Sequence, residues 1–245
     1  YFTVQAALDA ATTGQTITLQ EGSWTATGNV GLVWPNTDNI TLQGAGAELS
    51  VIDAATVTRH IVVPQASSFK ISALSLINGD AGIGAGGVIS LTAGASVTID
   101  SLIISGNAAS TGGVIEGGTS IIINSLIKNN SATTGSVLGD GVHKVVNTTV
   151  VGNSGDITNG GNNVELANSI FVGDFNGSGD FANTTVNNCI FSDSSLPESD
   201  WTATNIITGA AVANLFMDYF NEDFRLGADS GAVNYGDNTL WNLAS

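Results

Sequence analysis

Two acidic side chains, Glu116 and Asp140, occupy similar places in two similar stretches of the chain, VIEG and VLGD. Glycoside hydrolysis uses two carboxyl groups about 5 to 10 Å apart. Neighbouring strands lie about 4.8 Å apart, so carboxylates on adjacent stacked strands meet that requirement. We therefore interpret Glu116 and Asp140, with His143 close behind them, as candidate catalytic residues of a polysaccharide hydrolase.

Three basic side chains complete the densest group of ionisable residues in the sequence. Arg59 and His60 precede the strand at Val62, two coils before the pair, and Lys144 comes just after Asp140; these three are the candidate substrate-binding residues. The alternative is that all these side chains are solvated turn residues, because surface carboxylates are common and the chain has 21 acidic residues. These stretches also lack the Asn-x-Asp, Asp-Asp, Gly-His-Gly and Arg-x-Lys set of motifs that polygalacturonases show.

The charge balance narrows the choice of partners. The chain has five Lys and Arg against 21 Asp and Glu, a formal net charge of −16. Nucleic acid is excluded as a partner, because binding it requires clustered basic side chains. Polymers of uronic acids are disfavoured unless a cation bridges the two negative surfaces. A uronate lyase is less favoured than a hydrolase, since it needs cations around the substrate carboxylate.

The stretch DFNGSGD predicts a possible calcium site. Its Asp174, Asn176, Ser178 and Asp180 alternate as oxygen ligands do in the first half of an EF-hand loop. Thr185 stands where the loop needs a glutamate, which leaves an Asx-rich turn as the alternative. Ca²⁺ is therefore the one cofactor that the sequence suggests.

The chain repeats a short unit, beginning with TITLQEG and NITLQGAG. About nine copies follow one another, each with apolar residues on both sides of a polar bend, and a second strand series runs between them. One such unit cannot bury its apolar side alone, so the copies must stack. Two strand series per period with Gly-rich turns predict an all-β parallel β-helix of about nine coils. The units centre on Ile17, Ile40, Ile71, Ile99, Ile123, Val146, Leu166, Val186 and Ile206.

Alternation within each unit predicts which side chains face outward. The apolar residues Ile103, Ile122 and Val145 are expected on the outer face, where they favour self-association. Cys189 is expected to be a buried, inert thiol, and as the single cysteine it excludes an internal disulfide. The uncharged run over residues 81–99 is too rich in Gly, Ser and Thr for a membrane helix, so no membrane insertion is expected.

Several stretches resemble known β-helix proteins. VQAALDAATTGQTITLQEGSW (4–24) is similar to the start of right-handed β-helix proteins of the pectate-lyase-like superfamily, in which an amphipathic helix caps the coil; Gly14 would end that helix. The Asn-containing bends resemble the superfamily's asparagine ladder. EDFRLGADSGAVNYGDN (222–238) and the pair GNAASTGGVIE and NNSATTGSVLG resemble secreted bacterial surface proteins, including polymorphic outer-membrane proteins. This resemblance implies an extracellular or bacterial cell-surface location.

These observations predict one domain over residues 1–245, with an N-terminal cap (1–16), coils (17–208) and an irregular C-terminal cap (209–245). The expected function is a non-catalytic glycan-binding or adhesin-like module whose partner is a polysaccharide or cell-surface glycan. The four tryptophans are expected either to plug the ends of the coil or to stack on sugars. The alternative function is a polysaccharide-degrading enzyme, a hydrolase or less readily a lyase, acting along a groove of the helix.

Overall fold

The computed structural model describes residues 2–159, 163–175, 184–194 and 201–237. It begins with the predicted helix, Val4–Ala10, whose N-cap Thr3 accepts a hydrogen bond from the Ala6 amide through its side chain. The helix ends at Ala10 because Ala11 is already extended. Gly14, the predicted end, instead takes a positive φ of 81° in the turn that leads to the first strand.

The chain then winds through three parallel sheets, A, B and C, in that order, and the strands of sheet C belong to the first four coils. Sheet A has nine strands: Thr16–Thr18, Ile40–Gln43, Ser68–Ser72, Ser96–Asp100, Thr119–Ile123, Val142–Val146, Asn163–Ala167, Thr184–Asn187 and Trp201–Thr204. Sheet B has eight: Gly22–Trp24, Ser50–Asp53, Ser75–Ile77, Ile103–Ser105, Leu126–Lys128, Thr149–Val151, Ile170–Val172 and Ile190–Phe191. Sheet C has four: Leu32–Val33, Ile61–Val63, Ile89–Leu91 and Ile115–Glu116. The strands Ala108–Thr111 and Ser131–Thr134 form a further parallel pair. This arrangement confirms the predicted parallel β-helix.

The bend between sheets A and B turns on one left-handed residue per coil. Asn124, Asn147, Asn168 and Asn188, the outer asparagines, have φ between 49° and 54°. Asparagine tolerates this conformation better than most residues. In each coil the next residue is buried, and in three coils it is a hydroxyl residue that accepts an amide hydrogen bond from the neighbouring coil: Ser125, Thr148 and Ser169.

The single-residue bend corrects the predicted register. Ile123 pairs with Asp100, whereas Ile122 pairs with the inward Ile99. Ile122 and Val145 are therefore buried in the core, with 0% and 1% exposure. Their predicted place on the outer face is wrong because only Asn124 and Asn147 form the bend, and the hydroxyl residue after each of them already points inward. Ile103, by contrast, is partly exposed.

A second set of asparagines lies inside the coil, after sheet B. Asn107, Asn130 and Asn153, the inner asparagines, each follow a left-handed residue and bond to one another along the stack. Oδ1 of Asn130 accepts from the backbone amide of Asn107 at 3.0 Å and from its Nδ2 at 2.9 Å. Oδ1 of Asn153 likewise accepts from the backbone amide of Asn130 at 2.9 Å and from its Nδ2 at 3.0 Å. This inner ladder joins the coils through asparagine side chains, whereas no described asparagine side chain of the outer bend bonds to the asparagine of the next coil, as the predicted ladder would require.

Aromatic residues close both ends of the core. Trp34 stacks on Phe69 with ring centroids 4.0 Å apart near the N-terminal end. Trp201 packs against Phe175 near the other end, next to Phe171 and Phe191. Trp34 and Trp201 are thus plugs, one of the two predicted roles, whereas Trp241 lies outside the described residues. Cys189 is buried as predicted, and burial raises the pKa of its thiol to about 12.

Residues 215–237, the strap, run back along the outside of sheet B. The strap contains an antiparallel hairpin of Phe216–Asp218 and Asp223–Leu226. Leu215 and Phe216 form a hydrophobic cluster with outward residues of sheet B, among them Val151, Ile170, Val172 and Ile190. In the described part of the chain no helix is long and apolar enough to cross a membrane.

Candidate functional site

The structure brings Glu116 and Asp140 together as the sequence predicted. Ile115 and Leu138 form a bridge between adjacent coils, and the Gly117 amide donates to the Asp140 carbonyl oxygen at 2.6 Å. The Glu116 carboxyl group lies directly over Gly139, where a Cβ atom would come within 1.7 Å of Glu116 Oε2. The glycine therefore leaves the space that this carboxyl group fills.

The environment of Glu116 favours its protonated form. Burial and the negative charge of Asp140 raise its pKa, against the opposing effect of hydrogen bonds from the Thr111 side chain and the Asp140 backbone. Oε2 is buried and has no hydrogen-bond partner among the described residues. Asp140 is exposed, and its Oδ1 accepts from Asn159 Nδ2 at 2.9 Å. One carboxyl group is thus partly desolvated and its neighbour is in water.

His143 positions this pair and does not face solvent. Its Nδ1 lies 2.8 Å from Ser120 Oγ, and its Nε2 lies 3.2 Å from the carbonyl oxygens of Gly139 and Asp140. Carbonyl oxygens only accept, so Nε2 carries the proton and Nδ1 accepts from the serine. Burial lowers the pKa of His143, which keeps the ring neutral. The ring anchors the turn that carries Asp140.

The predicted substrate-binding residues separate into three environments. His60 is buried, bonds Asn107 Oδ1 through Nε2 at 3.2 Å, and has its pKa lowered to about 4 by desolvation. Lys144 lies on the outer face of sheet A, 3.3 Å from Glu165. Arg59 donates to the Ala85 carbonyl oxygen. Ala85 is bridged to Thr111, so Arg59 alone of the three lies on the side of the coil where Glu116 lies.

The predicted calcium loop falls almost entirely outside the described residues. Asn176, Ser178 and Asp180 are not described. The backbone carbonyl oxygen of Asp174 accepts a hydrogen bond from the Ile157 amide at 3.0 Å. Desolvation and the charge of Asp174 raise the pKa of Asp156 on the adjacent coil. Among the described residues no group of three His, Cys, Asp or Glu side chains is arranged to hold a metal ion.

A second site, which the sequence did not predict, lies between the outer bend and the strap. Two adjoining cavities of about 320 and 540 Å³ share Asn124, Asn147, Thr149 and Phe224. We call them together the bend groove. The remaining lining residues include Ser101, Asn168, Asn188, Tyr235, Glu48, Glu222, Asp223 and Arg225.

The outer asparagines differ in how far the strap uses them. Asn168 exchanges two hydrogen bonds of 2.9 Å with the backbone of Asp237, and Asn188 donates to the Tyr235 carbonyl oxygen at 3.4 Å. Asn124 is exposed and donates to Asp100 at 3.1 Å. Asn147 is exposed and makes no side-chain hydrogen bond with any described residue. The groove therefore presents amide groups to solvent beside the half-buried rings of Phe224 and Tyr235.

Comparisons with known proteins establish the fold. No protein-family model and no curated protein matches the chain. The pectin methylesterase of Aspergillus niger, in deglycosylated form, superposes with a TM-score of 0.57 at 14% identity over 99% of this chain and 92% of that one. A pectin methylesterase mutant in complex with a hexasaccharide gives a TM-score of 0.48 at 14% identity, covering 98% and 92% of the chains. A mutant PL6 alginate lyase gives 0.37 at 15%, covering 84% and 37%. The chain is thus a right-handed parallel β-helix, the fold it shares with the Aspergillus enzyme.

Proposed function

We propose that this chain is a non-catalytic module that binds polysaccharide in the bend groove, outside the cell or at the bacterial cell surface. The observation that carries the proposal is the juxtaposition of exposed side-chain amides with aromatic rings. Amides donate to and accept from sugar hydroxyl groups, and aromatic rings pack against the apolar faces of sugar rings. Asn147 has both amide functions available, and Phe224 forms the facing wall.

The dimensions of the groove suit an extended chain. The outer asparagines lie on successive coils, joined by backbone hydrogen bonds of 3.0 to 3.2 Å. A spacing of about 4.8 Å per coil places four of them along roughly 14 Å. A polysaccharide lying parallel to the helix axis would therefore meet the exposed amides of Asn124 and Asn147 on adjacent coils, next to Asn168 and Asn188, which the strap engages.

The test is retention of the chain on a panel of immobilised polysaccharides, followed by calorimetry on those that bind. We expect Asn147→Gly and Phe224→Ala each to weaken binding about tenfold or more, the size of effect of losing a central contact. The matched control is Asn39→Gly, because Asn39 is also exposed and left-handed, with φ 59°, but lies outside the groove. Binding of no polysaccharide, or equal losses in the control, would contradict the proposal.

Hydrolysis at Glu116 and Asp140 is the second candidate function. It is favoured by one observation, the contrast between a half-buried carboxyl group with a raised pKa and an exposed carboxylate beside it. Such a contrast separates the roles of proton donor and base. The Aspergillus pectin methylesterase, which shares the fold, is named for a reaction on pectin, a polysaccharide. Release of reducing ends that is lost in both Glu116→Gln and Asp140→Asn would establish it, and no release from any substrate would exclude it.

A further inference from the structure

We infer that the bend groove selects uncharged polysaccharides and rejects polymers of uronic acids. The inference rests on the proposed function and adds the chemical class of the ligand. It follows from how two cations are held, Arg225, which lines the groove, and Lys128, which contacts the lining residues Glu222 and Phe224, since a cation that recognises an anionic sugar must be free to pair with it. Lys128 and Arg225 are both already paired within the chain.

Lys128 is held from two sides. Its Nζ lies 2.5 Å from Glu222 Oε2 and 5.8 Å from the ring centre of Phe224. Asn129 Nδ2 donates to the other oxygen of the same carboxylate at 3.1 Å. These hydrogen bonds lower the pKa of Glu222, so the carboxylate stays charged. The Lys128 side chain is only 20% exposed, and its charge is already paired.

Arg225 is neutralised by its own neighbour in the strap. Its Nε and Nη2 donate to the two carboxylate oxygens of Asp223 at 2.7 and 2.5 Å. This two-point pairing occupies one edge of the guanidinium group and offsets its charge at close range, although the Arg225 side chain as a whole is 76% exposed. The hydrogen bonds from Arg225 lower the pKa of Asp223, so this acceptor also remains charged.

The remaining charge at the groove is negative. Glu48 lines the larger cavity and takes part in no ion pair with a described residue. The whole chain carries a formal charge of −16, which repels polyanions at low ionic strength. An uncharged chain of hydroxyl-bearing sugars meets none of this repulsion and can still bond to the amides of Asn124 and Asn147.

The experiment removes the neutralising carboxylates without touching the amides. In Glu222→Gln with Asp223→Asn, Lys128 and Arg225 lose their partners and become available to anionic sugars. We expect affinity for polygalacturonate to rise about tenfold at low salt, with little change for a neutral glycan, and the gain to fade near 0.15 M salt because the Debye length there is about 8 Å.

The matched control changes the net charge equally away from the groove. Glu165→Gln with Asp9→Asn frees Lys144 on sheet A and removes an exposed helix carboxylate. Binding of no polysaccharide by the wild-type chain would defeat the proposed function itself. Wild-type binding of polygalacturonate as tight as that of neutral glycans, or an equal gain in the control, would overturn only the selectivity.

Discussion

The outer and the inner asparagines both recur once per coil, but the two sets differ in how exposed they are and in what their amides bond to. Asn107 and Asn130 of the inner set are 1% and 0% exposed, and their amides are fully engaged in the ladder. Asn124 and Asn147 of the outer set are exposed. The same chemistry therefore holds the core together at one bend and is available to a ligand at the other.

The cause of this difference is the place of each asparagine relative to the left-handed residue. The outer asparagines are themselves left-handed, which turns their side chains away from the core. The inner ones come one residue later: Asn107 follows Gly106 and Asn130 follows Asn129, both with positive φ. A shift of one position thus decides between a buried, hydrogen-bonded amide and an exposed one, because successive side chains point to opposite sides of the backbone.

Asn130→Ala should give the largest effect. It removes the acceptor of two donors of Asn107 and the donor to the Ile104 carbonyl oxygen. Each buried group left unsatisfied costs about 1 to 3 kcal/mol, so we expect unfolding free energy to fall by about 3 to 5 kcal/mol in denaturant titrations. A loss below about 1 kcal/mol would show that water replaces the ladder and that the inner set is not structural.

Acid should weaken the inner ladder through His60, which caps it at Asn107. Burial lowers the pKa of His60 from 6.5 to about 4. Between these two pH values the His60 ring is therefore protonated in the unfolded chain and neutral in the folded chain. Stability is complete above pH 6.5 and is lost as pH falls toward 4, by about 2 kcal/mol between pH 7 and pH 5. His143 acts in the same direction.

The measurement is the unfolding free energy as a function of pH, with an NMR titration of the His60 ring. His60→Gln should flatten the dependence between pH 7 and pH 5, because the amide can still donate to Asn107 without titrating. An NMR pKa near 6.5 in the folded chain would contradict the burial of this ring.

The fold was predictable because apolar alternation and repeat spacing are local signals. The resemblance of residues 4–24 predicted the helix Val4–Ala10, and the units around Ile71 and Ile99 fall in register as expected. The register near Asn124 was not predictable, because Ser125 has the chemistry of a turn residue although it is buried. The same ambiguity concealed the inner ladder: an asparagine beside a glycine indicates a turn but not the side to which its amide points.

The carboxylate pair and the bend groove were not equally visible in the sequence. Glu116 and Asp140 were paired correctly because the strand ladder alone brings them together. The groove depends on the strap. Its Glu222 pairs with Lys128 of sheet B, a residue 94 positions earlier in the chain. No periodic pattern reports such a contact. The one local signal was the concentration of aromatic residues in FMDYFNEDF, in a chain with 7% aromatic residues.

Glu116→Gln tests a half-buried polar side chain, intermediate between the buried inner asparagines and the exposed Asn124 and Asn147. Its raised pKa means that the charged form costs stability at neutral pH, and that this cost disappears as pH falls through the folded-state value. The variant should therefore be more stable than the wild type at pH 7, by less than about 1 kcal/mol because the group is only half-buried. Thermal unfolding at pH 7 and pH 4 checks the sign, and a variant that is less stable at pH 7 would show that its hydrogen bonds outweigh desolvation.

Asn147→Gly should have the smallest effect on stability of these variants, and it separates a loss of glycan binding from a loss of stability. Glycine adopts the left-handed conformation freely, and the Asn147 side chain bonds to no described residue, so we expect a change within about 0.5 kcal/mol. Glycan retention should nevertheless fall, since the lost amide faces the groove. Comparison with Asn39→Gly, which has the same backbone geometry elsewhere, separates the two effects. A substantial loss of stability in Asn147→Gly alone would mean that the outer asparagines are as structural as the inner ones, and the distinction between the two sets would fail.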